Sequence, residues 1–168
     1  LCYEYRVYEW WQEKFPKTEV SYINAGIGAT TSQFAAARVE KDLLDQKPDV
    51  VFVEFSVNDD ANEFFMETYE SLIRKIYTFD QKTAIIIINC VRYDDGGSAE
   101  VWHAKVARYY ELPQISMQRS IYPEVAAGRI SAEEITADYL HPNDIGHELV
   151  AGVIESFLEE VYTEREQK

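Results

Sequence analysis

The chain has 168 residues, the size of one domain, and 46% of them are hydrophobic, which is enough to bury a core. It carries 16 lysines and arginines against 30 aspartates and glutamates, a net charge of −14. So acidic a chain argues against a nucleic-acid partner, because phosphate backbones are bound by basic surfaces.

Helical and strand patterns alternate through the first half of the chain. We predict a helix over 2–15 closed by Pro16, a strand over 19–26, a helix that Pro48 ends, and a strand over 49–59. The second helix is predicted to bury Phe34, Ala35, Val39 and Leu43. The third is predicted to bury Phe65, Tyr69, Leu72, Ile73 and Ile76.

The alternation continues to the C-terminus. The apolar run TAIIIINCV (83–91) is far shorter than the roughly 20 residues of a membrane helix, so it predicts a buried strand and no membrane segment. A helix follows, predicted to bury Val101, Trp102, Val106 and Tyr109. A short strand (112–117) and a last helix after Pro142 complete the pattern, which predicts one three-layer α/β/α domain over 1–168 with a parallel sheet.

Polar and glycine-rich stretches follow three of the predicted strands, where parallel sheets bind ligands. NAGIGATTS (24–32) is either a plain strand-to-helix turn or a turn whose backbone N–H groups face an oxyanion. In SVNDD (56–60), Asn58 can donate to an oxyanion through its amide, and Asp59 or Asp60 is expected to cap the next helix.

The stretch DYLHP (138–142) places Asp138 three residues before His141, close enough for the carboxylate to accept an imidazole N–H. Such a bond orients an acid–base histidine. His147 and His103 are each expected to be structural, or solvent-facing in the case of His103. A zinc site is disfavoured because the spacing fits no common ligand pattern, and we expect no metal or other cofactor.

Taken in order, NAGIGATTS, VEFSVND and HPNDIGH resemble the SGNH (GDSL-type) hydrolase superfamily, especially its bacterial carbohydrate acetyl-esterase-like branch. The resemblance covers essentially the whole chain and implies a flavodoxin-like sheet. It implies His141 as general base, Asp138 as its orienting acid, Asn58 as one oxyanion donor, and a backbone N–H at Gly28 or Ala29 as another. Ser56 stands where the family usually has glycine.

The family's nucleophilic serine lies in a Gly-Asp-Ser block that ends the first strand, and this chain contains no such block. We therefore expect the chain to be N-terminally incomplete, with its first strand absent from between the strand at 19–24 and the strand at 50–56.

The predicted function is hydrolysis of acyl esters, with acetyl esters of a carbohydrate or other small molecule expected, and with the serine upstream of Leu1. A non-catalytic binding domain is the alternative, and a nucleotide-binding or receiver domain is disfavoured because no phosphate loop is present. Arg92 is expected to shape the substrate cleft. No signal-peptide pattern is present, which leaves the compartment undetermined but favours the cytoplasm, and the oligomeric state is undetermined.

Overall fold

The computed structural model describes residues 1–166, which form two compact units. One unit contains residues 25–118, and the other combines residues 1–24 with the C-terminal residues from 119 onward. In chain order the elements are α1 (Tyr3–Lys14), α2 (Ser32–Asp42), a 3₁₀ turn (Leu44–Gln46), β1 (Val50–Glu54), α3 (Glu63–Phe79), β2 (Ala84–Asn89), α4 (Glu100–Tyr109), β3 (Gln114–Ser116), α5 (Met117–Ser120), α6 (Tyr122–Ala126), α7 (Ala132–Ile135) and α8 (Asp144–Glu166). The single domain over 1–168 stays a prediction.

The unit of residues 25–118 contains a parallel sheet in the order β1-β2-β3, which confirms the predicted α/β class. β1 pairs with β2 from Val50 opposite Ala84 onward, and β2 pairs with β3 from Ile87 opposite Gln114 onward. β2 is buried along all but its first residue, as expected of a central parallel strand whose isoleucines face packed layers on both sides.

Three helices belong to the same unit. Helix α3 packs against both α2 and α4. The stripe predicted for α3 is largely confirmed, because four of its five residues are buried at one helical spacing and Phe65 is half-buried. The buried core of this unit consists of Ala35, Val39, Leu44, Val51, Val53, Tyr69, Leu72, Ile73, Ile76, Ile85, Ile87, Val106 and Ala107.

The predicted buried face of α4 is wrong in part. Val101 and Tyr109 are 67% and 79% exposed, whereas α4 buries Glu100, His103, Val106 and Ala107. The apolar pattern does not reveal that Glu100 accepts a hydrogen bond from Ser116 and that His103 contacts Asp59, both within this unit. Phe34, predicted to be buried in α2, is also exposed.

The predicted strand at 19–26 is wrong: this stretch is irregular. A strand requires a neighbour that completes its hydrogen-bond ladder, and within residues 1–166 no segment pairs with it. The same sheet leaves β1 with one strand neighbour, β2, among these residues.

In the other unit, α1 packs against α8, and α7 also contacts α8. Within residues 1–166 no helix is both long enough and apolar enough to span a bilayer. The loop that joins α7 to α8 carries the Asp138 and His141 pair.

Candidate active site

The loop between α7 and α8 is closed on itself by backbone contacts. Thr136 and Pro142 form an isolated antiparallel bridge at its two ends. Between them, Tyr139 adopts a left-handed backbone with φ 62°, and its N–H donates to Oγ1 of Thr136 at 2.9 Å. These contacts close the loop and hold in place the backbone that carries Asp138 and His141, the candidate acid and base.

Asp138 uses both of its carboxylate oxygens. Oδ1 accepts the backbone N–H groups of Leu140 at 3.0 Å and His141 at 2.7 Å, and Oδ2 lies 2.6 Å from Nδ1 of the His141 ring. The hydrogen bond from His141, followed by the two backbone hydrogen bonds, lowers the pKa of Asp138 to about 2. The predicted contact between Asp138 and His141 is thus present, and its catalytic role stays a prediction.

The His141 imidazole is 79% exposed, and its Nε2 has no hydrogen-bond partner among residues 1–166. In the neutral form of the ring, a proton on Nδ1 would be donated to the Asp138 carboxylate, and Nε2 would then carry the lone pair. A ring in this tautomer can accept a proton from a hydroxyl group, which is the task of a general base.

The rest of the motif HPNDIGH is structural. Oδ1 of Asn143 accepts the N–H groups of Ile145 and Gly146, both at 3.0 Å, and so caps the start of α8. A Cβ atom on Gly146 would lie 2.2 Å from the backbone oxygen of Ile135, so this close approach of the chain to itself requires glycine.

His147 contacts α1. Its Nδ1 accepts the backbone N–H of Tyr3 at 3.3 Å, and burial lowers its pKa. Within residues 1–166 no group of three histidine, cysteine or acidic side chains is placed to hold a metal ion.

The turn before α2 carries the two candidate backbone donors, Gly28 and Ala29, both exposed. Ala29 adopts a left-handed backbone with φ 58°, a conformation that favours glycine. Oγ1 of Thr30 closes the turn by donating to the oxygen of Ile27 at 2.7 Å. The left-handed residue of the turn is thus Ala29, one of the two candidate donor positions.

Asn58 lies in the turn after β1. Its backbone N–H donates to the oxygen of Phe55 at 3.0 Å, and its exposed side chain has no hydrogen-bond partner within residues 1–166. The amide is therefore available to a ligand. The expected cap of α3 is corrected: Asn62, rather than Asp59 or Asp60, accepts the N–H of Phe65 at 3.0 Å.

Asp59 is buried and bonded to two other elements, which sequence reasoning missed. Its Oδ1 accepts the backbone N–H of Ser32 at 2.8 Å, and its Oδ2 lies 3.1 Å from Nε2 of His103. The His103 ring stacks on Tyr69 with centroids 3.7 Å apart. This cluster links the turn after β1 to the start of α2 and to α4.

Ser56 is 1% exposed, and its Oγ lies 2.8 Å from Oε1 of Glu54 and 2.9 Å from the oxygen of Cys90. Burial raises the pKa of Glu54, and the hydrogen bonds from Ser56 oppose that rise. Ser32 is also fully buried. Neither serine is placed to attack an external substrate.

Arg92 is exposed at the start of the loop after β2. Its guanidinium pairs with Asp94 at 2.7 Å and with Asp95 at 3.5 Å, and these carboxylates raise its pKa. The backbone closes the loop, with the N–H of Arg92 donating to the oxygen of Gly97 at 2.9 Å. Contact of Arg92 with substrate stays a prediction, as does the placement of His141 with Asn58.

Comparison with known proteins decides the family. The GDSL-like Lipase/Acylhydrolase family matches residues 2–149. The chain belongs to this family. By that description its members are lipases and acylhydrolases, which are carboxylic ester hydrolases.

Individual relatives are carbohydrate esterases. An acetylxylan esterase of Geobacillus stearothermophilus is 23% identical over 89% of this chain and 76% of its own length. A crystal structure of a two-domain esterase active on acetylated mannans, co-crystallised with mannopentaose, is 58% identical with a TM-score of 0.95. That match covers 96% of this chain and 44% of the other, so the chain spans less than half the length of that esterase. The structure of an acetyl xylan esterase, AlAXEase, at 22% identity over 92% of this chain and 89% of its own, shares the fold with a TM-score of 0.76.

Proposed function

We propose that this chain carries the acid–base machinery of a serine esterase that removes acetyl groups from a carbohydrate. The observation that carries the proposal is the Asp138–His141 pair, in which a 2.6 Å contact fixes Nδ1 and Nε2 is left exposed. Membership in a family of acylhydrolases supplies the reaction class. The exposed Nε2, on the side of the ring away from the carboxylate contact, supports His141 as the base of that reaction.

In the proposed reaction, a serine hydroxyl attacks the acetyl carbonyl while Nε2 of His141 takes its proton. Asp138 stabilises the imidazolium that results. The amide of Asn58 and the backbone N–H of Ala29 donate to the oxyanion of the tetrahedral intermediate. His141 then returns the proton to the leaving sugar oxygen as the ester C–O bond breaks. Water hydrolyses the acetyl-serine by the same route and releases acetate.

We infer that the attacking serine lies in a segment that precedes Leu1. The resemblance places the nucleophile before the first helix, and the chain has no Gly-Asp-Ser sequence. The two serines near the candidate oxyanion donors, Ser32 and Ser56, are buried. β1, the strand beside which a preceding strand would lie, has one strand neighbour within residues 1–166, which agrees with this inference.

The proposed substrate is an acetylated mannan or manno-oligosaccharide. The 58% identical esterase is described as active on acetylated mannans, and that likeness is far stronger than the 23% identity to the acetylxylan esterase. An acetylated plant polysaccharide of another backbone is the competing substrate.

The test uses the full-length protein with acetylated mannan, acetylated xylan and p-nitrophenyl acetate, and acetate release is measured for each. A fluorophosphonate that labels activated serines, followed by peptide mass spectrometry, then identifies the nucleophile. We expect a labelled serine upstream of Leu1 and the fastest release from mannan. Absence of both label and acetate release would favour the binding-domain alternative.

A further inference from the structure

The buried carboxylate of Asp59 stands between the two segments that carry the candidate oxyanion donors. Asn58 precedes Asp59 directly, and Ala29 lies three residues before Ser32, whose N–H Asp59 accepts at 2.8 Å. All of these residues belong to the unit of residues 25–118. This hydrogen bond therefore ties the turn after β1 to the start of α2.

This bond also completes the start of α2. Thr31 occupies the N-cap position of α2 and makes no side-chain capping bond. The first N–H groups of a helix lack partners within the helix, and a carboxylate there is favoured by the helix dipole. Asp59 supplies the missing acceptor from 27 residues away in sequence, so the cap of α2 is also the tie to the turn of Asn58.

His103 holds the second oxygen of the same carboxylate. The Asp59 and His103 side chains are 0% and 1% exposed, so their 3.1 Å contact is shielded from water. The ring of His103 lies flat on Tyr69, with 7° between the planes, and cannot rotate without breaking that stack. A buried carboxylate needs such partners, and they fix its orientation.

We propose that Asp59 and His103 are positioning residues of the oxyanion hole, which act by holding Asn58 and Ala29 at a fixed separation. Oxyanion donors stabilise a transition state only when they are aimed at the developing charge before the reaction begins. The two residues therefore act through kcat, and neither touches the substrate. This inference rests on the proposed function, since it assigns a role within that site.

The test compares Asp59→Ala, Asp59→Asn and His103→Gln in the full-length protein, with Tyr110→Phe as the matched control. Tyr110 donates to Glu70 in the same unit, so its variant removes a partly buried hydrogen bond away from the two turns. We expect Asp59→Ala to lower kcat about 30-fold with KM changed less than threefold. Asp59→Asn, which keeps an acceptor for Ser32, recovers most of the loss, and His103→Gln loses about fivefold. Tyr110→Phe stays within twofold.

Amide hydrogen exchange gives a readout that does not depend on activity. In Asp59→Ala the N–H of Ser32 and the turn before it exchange faster, while the amides of β2 keep their protection. Unchanged exchange at Ser32 overturns the proposal, and so does faster exchange with an unchanged kcat. If Asp59→Ala does not fold, His103→Gln decides by the same two measurements.

Failure of the proposed function has a different signature. A wild-type protein that releases no acetate from any ester refutes the esterase, and with it the positioning role in catalysis. A wild-type esterase whose Asp59→Ala variant keeps its kcat refutes the positioning role alone.

Discussion

Asp138 and His141 are joined twice: the carboxylate accepts the backbone N–H of His141 at 2.7 Å through one oxygen and lies 2.6 Å from its ring Nδ1 through the other. The orientation of the imidazole is therefore fixed by the same four-residue turn that carries it. This local origin explains why the pair could be found from the spacing D-x-x-H alone.

The first prediction concerns the base. In the full-length protein, His141→Ala is expected to lower kcat on p-nitrophenyl acetate by about three orders of magnitude or more, because the attacking hydroxyl loses its proton acceptor. His147→Ala is the matched control from the same motif and should cost less than tenfold, since its ring contacts Tyr3. Equal losses at both positions would contradict the assignment and point to destabilisation of the loop.

The second prediction concerns pH. The pKa of Asp138 in the folded protein is about 2, below its usual 3.8, so ionised Asp138 stabilises the fold. That contribution is complete above about pH 4 and is lost as the pH falls towards 2. Wild type is therefore expected to exceed Asp138→Asn in the free energy of unfolding at pH 7, with the difference shrinking between pH 4 and pH 2.

Urea unfolding across this range measures the difference. Asp60→Asn is the control, because no hydrogen bond to its side chain is found within residues 1–166, and it should follow the wild-type curve. A difference for Asp138→Asn that grows on acidification has the wrong sign and would refute the assignment.

The third prediction concerns Asn58. Asn58→Ala is expected to raise the barrier for kcat by about 3 kcal/mol with KM little changed, because a donor to the oxyanion is lost. Steady-state kinetics on p-nitrophenyl acetate measures both constants, and Asp60→Ala, two residues on, serves as the control with both near wild type. An Asn58→Ala variant with raised KM and normal kcat would show that Asn58 binds substrate in its ground state.

The fourth prediction concerns two glycines of α8. Gly146→Ala is expected to destabilise the protein by about 1–3 kcal/mol or more, because the new Cβ would meet the oxygen of Ile135 at 2.2 Å. Gly152→Ala is the matched control: nothing lies within 4 Å of its added Cβ, so we expect a gain of about 0.5–1 kcal/mol. Thermal and urea unfolding measure both changes. A Gly146→Ala variant that is as stable as Gly152→Ala, or more stable, would disprove the close approach at Gly146.

The parts of the fold that were predicted correctly have local causes. The run TAIIIINCV is apolar at consecutive positions, which by itself predicts a strand buried on both faces. The buried residues of α3 repeat at helical spacing, which by itself predicts an amphipathic helix. The Asp138–His141 pair is also local, because its members are three positions apart in the sequence.

The parts that were missed depend on partners distant in sequence. The stretch 19–26 has a strand composition, yet no described segment completes its ladder. His103 was expected to be structural or solvent-facing without a named partner, and Asp59 was expected as a candidate cap at the start of α3. The two are buried together although they are 44 positions apart in the sequence. His103 lies three positions before the buried Val106, a spacing that places both on one face of α4 and could have indicated that His103 is buried. The spacing does not identify Asp59 as its partner.

The left-handed backbone at Ala29 limits which residues evolution can place in this turn. Alanine pays about 1–2 kcal/mol to adopt φ 58°, glycine adopts it freely, and asparagine or aspartate adopts it more readily than other residues. Valine, isoleucine and threonine are excluded by crowding at Cβ. A saturation library at position 29 should therefore retain a few small or amide-bearing residues. Substitution at this position is thus restricted by the backbone conformation itself.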